Sequence, residues 1–361
     1  MSSTTTETRS ERAEHEALAV LKKVSADTLA FPPDANANFD GSKYQRIQLT
    51  VDQFRFYKKH GWIKIPKILP PEDLKEINDH LDRVLSGEEK IPGIEIDPNL
   101  SHKDKQSLFS RIHQLHRRHP LHEKYLLHPR VLDVIEQLNS PDVLALQTIS
   151  FFKEPGQVGQ GYHQDSYYIC TLPDTLIGAW VALTPATEEN GCLWLSDGSN
   201  VEPLYPHDTR EHTHNNKKLD GIFNVQHPSR FDENVNELFK VGKTYTEVAG
   251  TADAGDAFFF GGNLLHRSHT NVSKDSSRRA FTTHYCDARS FTTWDPDEAG
   301  EGEATNEKNI LARGDTHLPF GKPRFGMPVE LKRRMFKNSV AMPIDGKMAT
   351  SNLTMNQKDE H

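Results

Sequence analysis

Tyr162-His163-Gln164-Asp165 is the stretch on which the reading of this chain turns. It follows an apolar run at residues 144–152 and precedes Tyr167-Tyr168-Ile169, a setting that reads as β-strand. In a strand, residues i and i+2 share a face, so His163 and Asp165 can reach one point in space. A second histidine from a distant strand, with His266 as the candidate, completes a two-histidine, one-carboxylate set with open positions. That set is the usual geometry of non-haem Fe(II) enzymes that activate oxygen.

The pattern His-x-Asp carries little by itself, because it occurs at His80/Asp82, His102/Asp104 and His163/Asp165. The first lies in residues 71–85, where apolar residues at 74, 77, 81, 84 and 85 keep helical spacing. Two residues apart on a helix do not share a face, so that pair does not chelate simply. The second sits in Ser101-His102-Lys103-Asp104-Lys105 and reads as a solvated charged loop. Only the third has a strand around it.

Composition bounds the class. A chain of 361 residues is long enough to bury a large core, and 35% hydrophobic with 26% charged residues fits a soluble globular protein. A net charge of −8 argues against a general nucleic-acid binder, which wants a basic surface. Cys170, Cys192 and Cys286 are far apart and odd in number, so no disulfide framework is expected and a reducing compartment is. The N-terminus lacks the apolar core of a signal peptide, and runs such as 177–183 are too short to span a membrane. The last residues, 358–361, carry no peroxisomal address of the Ser-Lys-Leu type. A cytoplasmic protein is expected.

Along the chain, residues 1–45 are polar and read as a flexible segment with a short helix at 11–23. Thr50 is placed to cap a short helix that Gly61 ends, and Trp62-Ile63-Lys64-Ile65 then reads as a strand. Helices are predicted at 71–85 and 129–138. From about residue 144 the pattern changes to short strands between turns, at 144–153, 178–183, 191–195, 257–260 and 279–285. This predicts a mainly β fold, a barrel or sandwich of antiparallel strands flanked by helices. A single domain is expected over 46–340, with a polar insert at about 200–247 that reads as a lid, binding loop or disordered segment, and a flexible tail at 345–361.

Downstream, Gly255-Asp256 makes a turn, Ala257-Phe258-Phe259-Phe260 reads as a buried strand, and His266-Arg267-Ser268-His269 follows. A hairpin from there to Arg278-Arg279-Ala280 is expected to set His266 beside an arginine on adjacent strands. Such an arginine can hold the far carboxylate of a small dicarboxylate whose other end binds the metal. The bland alternative makes both arginines exposed hairpin charges. His269 and His284 rival His266 as the distal ligand, and Arg278 and Arg279 face opposite ways in a strand, so only one points inward.

The chain resembles the phytanoyl-CoA dioxygenase family of Fe(II)/2-oxoglutarate-dependent oxygenases over roughly residues 48–290. The resemblance rests on Leu49-Thr50, Tyr57-Lys58-Lys59-His60-Gly61-Trp62, Tyr162-His163-Gln164-Asp165, Ala179-Trp180-Val181, Asn190-Gly191-Cys192-Leu193, His266-Arg267-Ser268 and Arg278-Arg279-Ala280, in that order. It implies a double-stranded β-helix (a jelly-roll, cupin-like core) holding Fe(II) by His163, Asp165 and His266, with the family pattern favouring His266 over its rivals. It also implies 2-oxoglutarate as co-substrate, its distal carboxylate at Arg278 with Ser268 and Trp180 near, and Gln147 as a weaker candidate for the same pocket. The reaction implied takes O2, decarboxylates 2-oxoglutarate to succinate and hydroxylates a C–H bond of a small or lipid-like molecule. The open alternatives are a cupin-type metal enzyme without 2-oxoglutarate and an inactive family member that binds.

Two departures from the family pattern are expected near the pocket mouth: Asp197-Gly198-Ser199-Asn200, and Arg267 where glycine is usual. Tyr167 and Tyr168 are candidates to line a substrate pocket, with at least one expected in the core. Phe258-Phe259-Phe260 reads as core, and Trp194 and Trp294 carry no functional signal.

Overall fold

The computed structural model describes residues 46–97, 99–205, 213–214, 217–218, 238–294, 305–318 and 324–325. The N-terminal segment 1–45 with its expected helix at 11–23, most of the 200–247 insert and the tail lie outside the described residues. Helix α1 (Val51–His60) is bounded by local chemistry. The Thr50 hydroxyl accepts from Gln53 N at 3.1 Å, the Gln53 side chain accepts from Thr50 N at 2.8 Å, and Gly61 closes the helix at φ 79°. Strand β1 (Trp62–Ile65) and helix α2 (Pro71–Ser86) follow, α2 burying Ile77, Leu81, Val84 and Leu85 on one stripe. The stretch expected as a charged loop is instead helix α3 (His102–Leu108), because Ser101 accepts from Asp104 N and caps it. Strand β2 (Arg111–His113) leads to α4 (Pro120–Leu126) and α5 (Pro129–Leu138), each opened by a proline at its first position.

The β-region holds β3 (Val143–Lys153), β4 (Gln160–His163), helix α6 (Asp165–Tyr168), β5 (Thr171–Leu172), β6 (Ile177–Ala182) and β7 (Leu193–Ser196). Within the insert lie a small ladder, β8 (Thr213–His214) with β9 (Lys217–Lys218), and α7 (Leu238–Gly242). Then come β10 (Glu247–Gly250), β11 (Ala257–Gly261), β12 (His266–Ser268), β13 (Arg278–Asp287), β14 (Phe291–Thr292), β15 (Ile310–Arg313) and β16 (Arg324–Phe325). The fold is mainly antiparallel β with flanking helices, as expected. No helix among the described residues is long and apolar enough to cross a membrane.

Two sheets matter for the site. The large one runs β1-β11-β6-β13-β3-β15-β16, with β2 also on β3; the small one runs β10-β7-β12-β4. Registers fix which side chains share a face of the large sheet: Arg278 opposes Lys153, Thr282 opposes Ile149 and Trp180, and His284 opposes Gln147 and Gly178. That face meets the small sheet through buried Trp180, Phe258, Phe260, Leu193 and Leu195. The opposite face, with Phe152, Val181, Phe259 and Phe281, packs against Ile77, Leu81, Leu85 and Leu126 of the helical layer. Phe258-Phe259-Phe260 is core, and its alternation splits it between the two layers.

Polar residues also bind the helical layer. Buried His80 donates from Nδ1 to Glu89 at 2.8 Å and meets His122 Nε2 at 3.0 Å, while His119 Nε2 donates to Glu89 at 2.7 Å. Burial, with His80 beside it, holds the His122 imidazole well below its ordinary value of 6.5. Below about pH 6.5 the unfolded chain takes up a proton that folded His122 refuses, so its contribution is complete above that pH and lost on acidification. Urea titrations at pH 7 and 5 should show a smaller loss of stability in His122→Phe than in the native chain; equal losses would refute this. Phe281, 1% exposed between sheet and helices, should cost about 3–5 kcal/mol when cut to alanine, read from the urea midpoint at unchanged slope.

Candidate metal and co-substrate site

His163 ends β4 and Asp165 opens α6, so the two do not share one strand as expected; the chain turns into a helix between them. The helical turn still brings the carboxylate back to the imidazole, with His163 Nε2 at 3.6 Å from Asp165 Oδ1. His266 lies directly opposite His163 across the β4–β12 ladder, its ring centroid 4.1 Å away and its Nε2 at 3.7 Å from the same oxygen. One ligand atom from each of the three residues lies within 4.8 Å of the other two.

The backbone sets the tautomers. His163 Nδ1 faces Gly161 O at 2.9 Å and His266 Nδ1 faces Leu264 O at 3.0 Å. A carbonyl only accepts, so each Nδ1 carries the proton and each Nε2 a lone pair, the one on His163 accepting from the Gln160 amide at 3.0 Å. Burial, and then His266 beside it, push His163 down to about 3, which keeps it neutral. Burial alone would raise Asp165, but His266, His284 and His163 outweigh it and hold the carboxyl below the usual range. Two imidazole nitrogens and a carboxylate oxygen suit a divalent first-row cation, whose ligands at about 2.1 Å sit roughly 3–3.5 Å apart. The residues fit an iron ion.

His284 is not placed to be the third ligand. Its Nε2 donates to the other oxygen, Asp165 Oδ2, at 3.1 Å, and its Nδ1 accepts from the Gln147 amide at 3.1 Å. Gln147 thus reaches the cavity, but its amide nitrogen is spent on orienting His284. His269 sets its ring edge-on to Trp194 at 5.0 Å, outside the group. Among the described residues one other set, His80, Glu89 and His119, has comparable spacing. There His119 Nδ1 accepts from Leu121 N at 3.2 Å as the cap of α4, so its Nε2 carries a proton and donates to Glu89. Arg83 adds a cation at 3.1 Å from the same carboxylate. That set is a hydrogen-bonded network, not a ligand set.

A cavity of about 410 Å³ runs between the sheets from this group. At one end Arg278 lies 3% exposed, its guanidinium 5.5 Å from the Trp180 ring and donating to Gly191 O at 3.2 Å. Burial pulls it down to about 10. Arg279 takes the outer face, bonded to Asp82 at 2.7 Å and Gln106 at 3.1 Å, so neither arginine is an exposed hairpin charge. The expectation that His266 and an arginine sit on adjacent strands fails: β12 belongs to the small sheet and β13 to the large one, and their side chains meet across the cavity. Ser268 lines the same end and accepts from Lys153 Nζ at 3.0 Å.

Lys153 was missed by the sequence reading, although its alternation with Gln147, Ile149 and Phe151 puts it on the inward face. Gly191 sits beside it at φ 82°, where a Cβ would meet Lys153 Cδ at 2.8 Å. Tyr168 and Trp294 line the cavity, but neither Tyr167 nor Tyr168 is core, because α6 turns both outward and buries Ile169 after them. Arg267 also lines it, held by Glu247 at 2.7 and 3.0 Å. The segment 197–200 does not line it: Asp197 accepts from Trp62 Nε1 and His60 Nδ1, both at 2.8 Å, and Ser199 accepts from Leu265 N at 2.9 Å.

Residues 57–280 match the profile of phytanoyl-CoA dioxygenase (PhyH). The chain is 24% identical over 287 residues to "Phytanoyl-CoA dioxygenase, peroxisomal" of Homo sapiens, covering 76% of this chain and 77% of that one. Among solved structures, the non-heme alpha ketoglutarate dependent epimerase SnoN from nogalamycin biosynthesis superposes with a TM-score of 0.52 at 18% identity, over 73% of this chain and 98% of that chain. The carbocyclase SnoK from the same biosynthesis gives 0.51 at 21% identity, over 71% and 94%. These structural likenesses are likenesses of fold. The family match covers most of the chain, which therefore belongs to the phytanoyl-CoA dioxygenase family of Fe(II)/2-oxoglutarate-dependent oxygenases.

Proposed function

We propose that this chain hydroxylates an aliphatic C–H bond of a small or lipid-like molecule while 2-oxoglutarate is decarboxylated to succinate. His163, Asp165 and His266 are the proposed iron ligands, and Arg278, with Ser268 and Trp180, the proposed holders of the distal carboxylate. Bound Fe(II) supplies the oxygen activation. The observation that carries the reading is one cavity with two imidazole lone pairs and a carboxylate at one place, and a buried guanidinium without a carboxylate partner among the described residues at another.

The chain's own residues have three tasks in this reading. The Gly161 and Leu264 carbonyls hold the imidazoles in the ligating tautomer, while His284 keeps Asp165 turned toward them. Phe260, its ring 4.7 Å from His266, and Trp180 keep that wall of the cavity dry. The two sheets are read as the halves of a double-stranded β-helix within one domain spanning about residues 46–340. Arg278 speaks against a cupin-type enzyme without 2-oxoglutarate, and the intact ligand set against an inactive binder. The three free cysteines fit a reducing compartment, with the cytosol as the proposed location.

Fe(II) with 2-oxoglutarate under anaerobic conditions should give a weak visible absorption band and raise the melting temperature. Absence of both would end the reading. His163→Ala and Asp165→Ala should each abolish succinate release, and turnover surviving either change would show that the ligands are elsewhere. Substrate candidates are then ranked by substrate-dependent succinate release.

A further inference from the structure

Lys153 and Arg278 are direct partners across β3 and β13, so two cationic side chains share one face of the sheet at one register position. Like charges set opposite each other repel, and both are buried, Lys153 at 7% and Arg278 at 3% exposure. Among the described residues, no carboxylate lies within ion-pair range of either. The Arg278 Nε is buried without a partner. Burial, followed by Arg278, pulls the Lys153 ammonium well below the usual lysine range. An anion entering between them would relieve both the repulsion and the cost of burying the two cations.

Ser268 identifies where the anion meets the protein. Its hydroxyl oxygen accepts from Lys153 Nζ at 3.0 Å and from Gln160 N at 3.1 Å, which occupies both lone pairs. Its proton must therefore donate elsewhere, and Ser268 lines the cavity. Lys153 Nζ also donates to His269 O at 2.6 Å, which fixes the ammonium at that depth. The three groups converge: a guanidinium fork, an ammonium, and a hydroxyl whose proton the ammonium has freed to donate.

We propose that Lys153 is a second binding group for the distal carboxylate of the co-substrate, acting by its own charge and by orienting the Ser268 hydroxyl to donate. This rests on the reading of the cavity as a 2-oxoglutarate site and adds to it a residue outside the ligand set. Charge-assisted hydrogen bonds in a buried site set the scale, roughly a 10- to 100-fold loss of affinity when the ammonium is removed.

The test compares two 2-oxo acids on the Fe(II)-loaded, full-length protein without oxygen: 2-oxoglutarate, and 2-oxobutyrate, which lacks the distal carboxylate. Lys153→Met should weaken 2-oxoglutarate roughly 10- to 100-fold and leave the weak binding of 2-oxobutyrate unchanged. In turnover, KM for 2-oxoglutarate should rise by a similar factor with a smaller change in kcat. A purely structural staple would weaken both acids alike, and that result, or no change in either, overturns the proposal. Should Lys153→Met fail to fold, Ser268→Ala supplies the second arm: it should show the same selective loss in smaller measure, and a Ser268→Ala protein that binds 2-oxoglutarate as the native chain does overturns the proposal. If the native protein does not prefer 2-oxoglutarate to 2-oxobutyrate, it is the co-substrate reading that fails, whatever the variants do.

Discussion

Cross-strand register is the constraint on which the rest of this structure depends. Strands β3, β13, β6 and β11 are held so that Lys153, Ile149 and Gln147 share a face with Arg278, Thr282, His284, Trp180 and Phe260. The side-chain period of a strand is two, so a slip of one residue in β13 would turn Arg278 and His284 out and Arg279 and Phe281 in. Both layers then fail together, because Phe281 is the outer face's anchor to the helices and Arg279 its link to Asp82 and Gln106. The hydrophobic alternation that packs the helical layer is also what aims the polar groups at the cavity. Packing and chemistry are set by one register.

Within the cavity the polar groups are segregated by sign. The end with His163, His266 and Asp165 gathers imidazole nitrogens and one carboxylate, which attract a cation. The other end, with Arg278 and Lys153, lacks a carboxylate partner among the described residues and attracts an anion. Low surrounding polarity strengthens both preferences, since Trp180, Phe260 and Leu193 lie between and around them. The two ends come from different sheets, which lets their separation be set by sheet packing and not by any one loop.

Much of this was legible in the sequence, for stateable reasons. Helix caps and apolar spacing are local, so Thr50 and Gly61 announced α1 and the stripe at 74, 77, 81, 84 and 85 announced α2. Alternation is local too, so Arg278 against Arg279 reduced to a choice of face. What was not legible is long-range or depends on a local turn. The i and i+2 argument for His163 and Asp165 named two residues that do lie together, but by the wrong geometry, since a helix begins at Asp165. Helix α6 also turned Tyr167 and Tyr168 away from the core. Lys153 was invisible because a lysine at a strand end reads as a solvated charge, until its partner across the sheet is known to be Arg278. The role of His284 was not legible for a similar reason: sequence leaves it as a rival to His266, and only the Gln147 bond at its Nδ1 makes its Nε2 a donor.

That donor decides how Asp165 can act. With His284 Nε2 at 3.1 Å from Oδ2, one carboxylate oxygen is occupied and turned toward the large sheet. Oδ1 remains, at 3.6 and 3.7 Å from the two imidazole nitrogens. These three residues would offer a cation one oxygen and two nitrogens. Bound there, an Fe(II) ion would supply the oxygen activation of the proposed reaction. Were His284 absent, the carboxylate would lose the donor that fixes its rotation. His284 thus orients the Asp165 carboxylate, and it does so from the strand that carries Arg278.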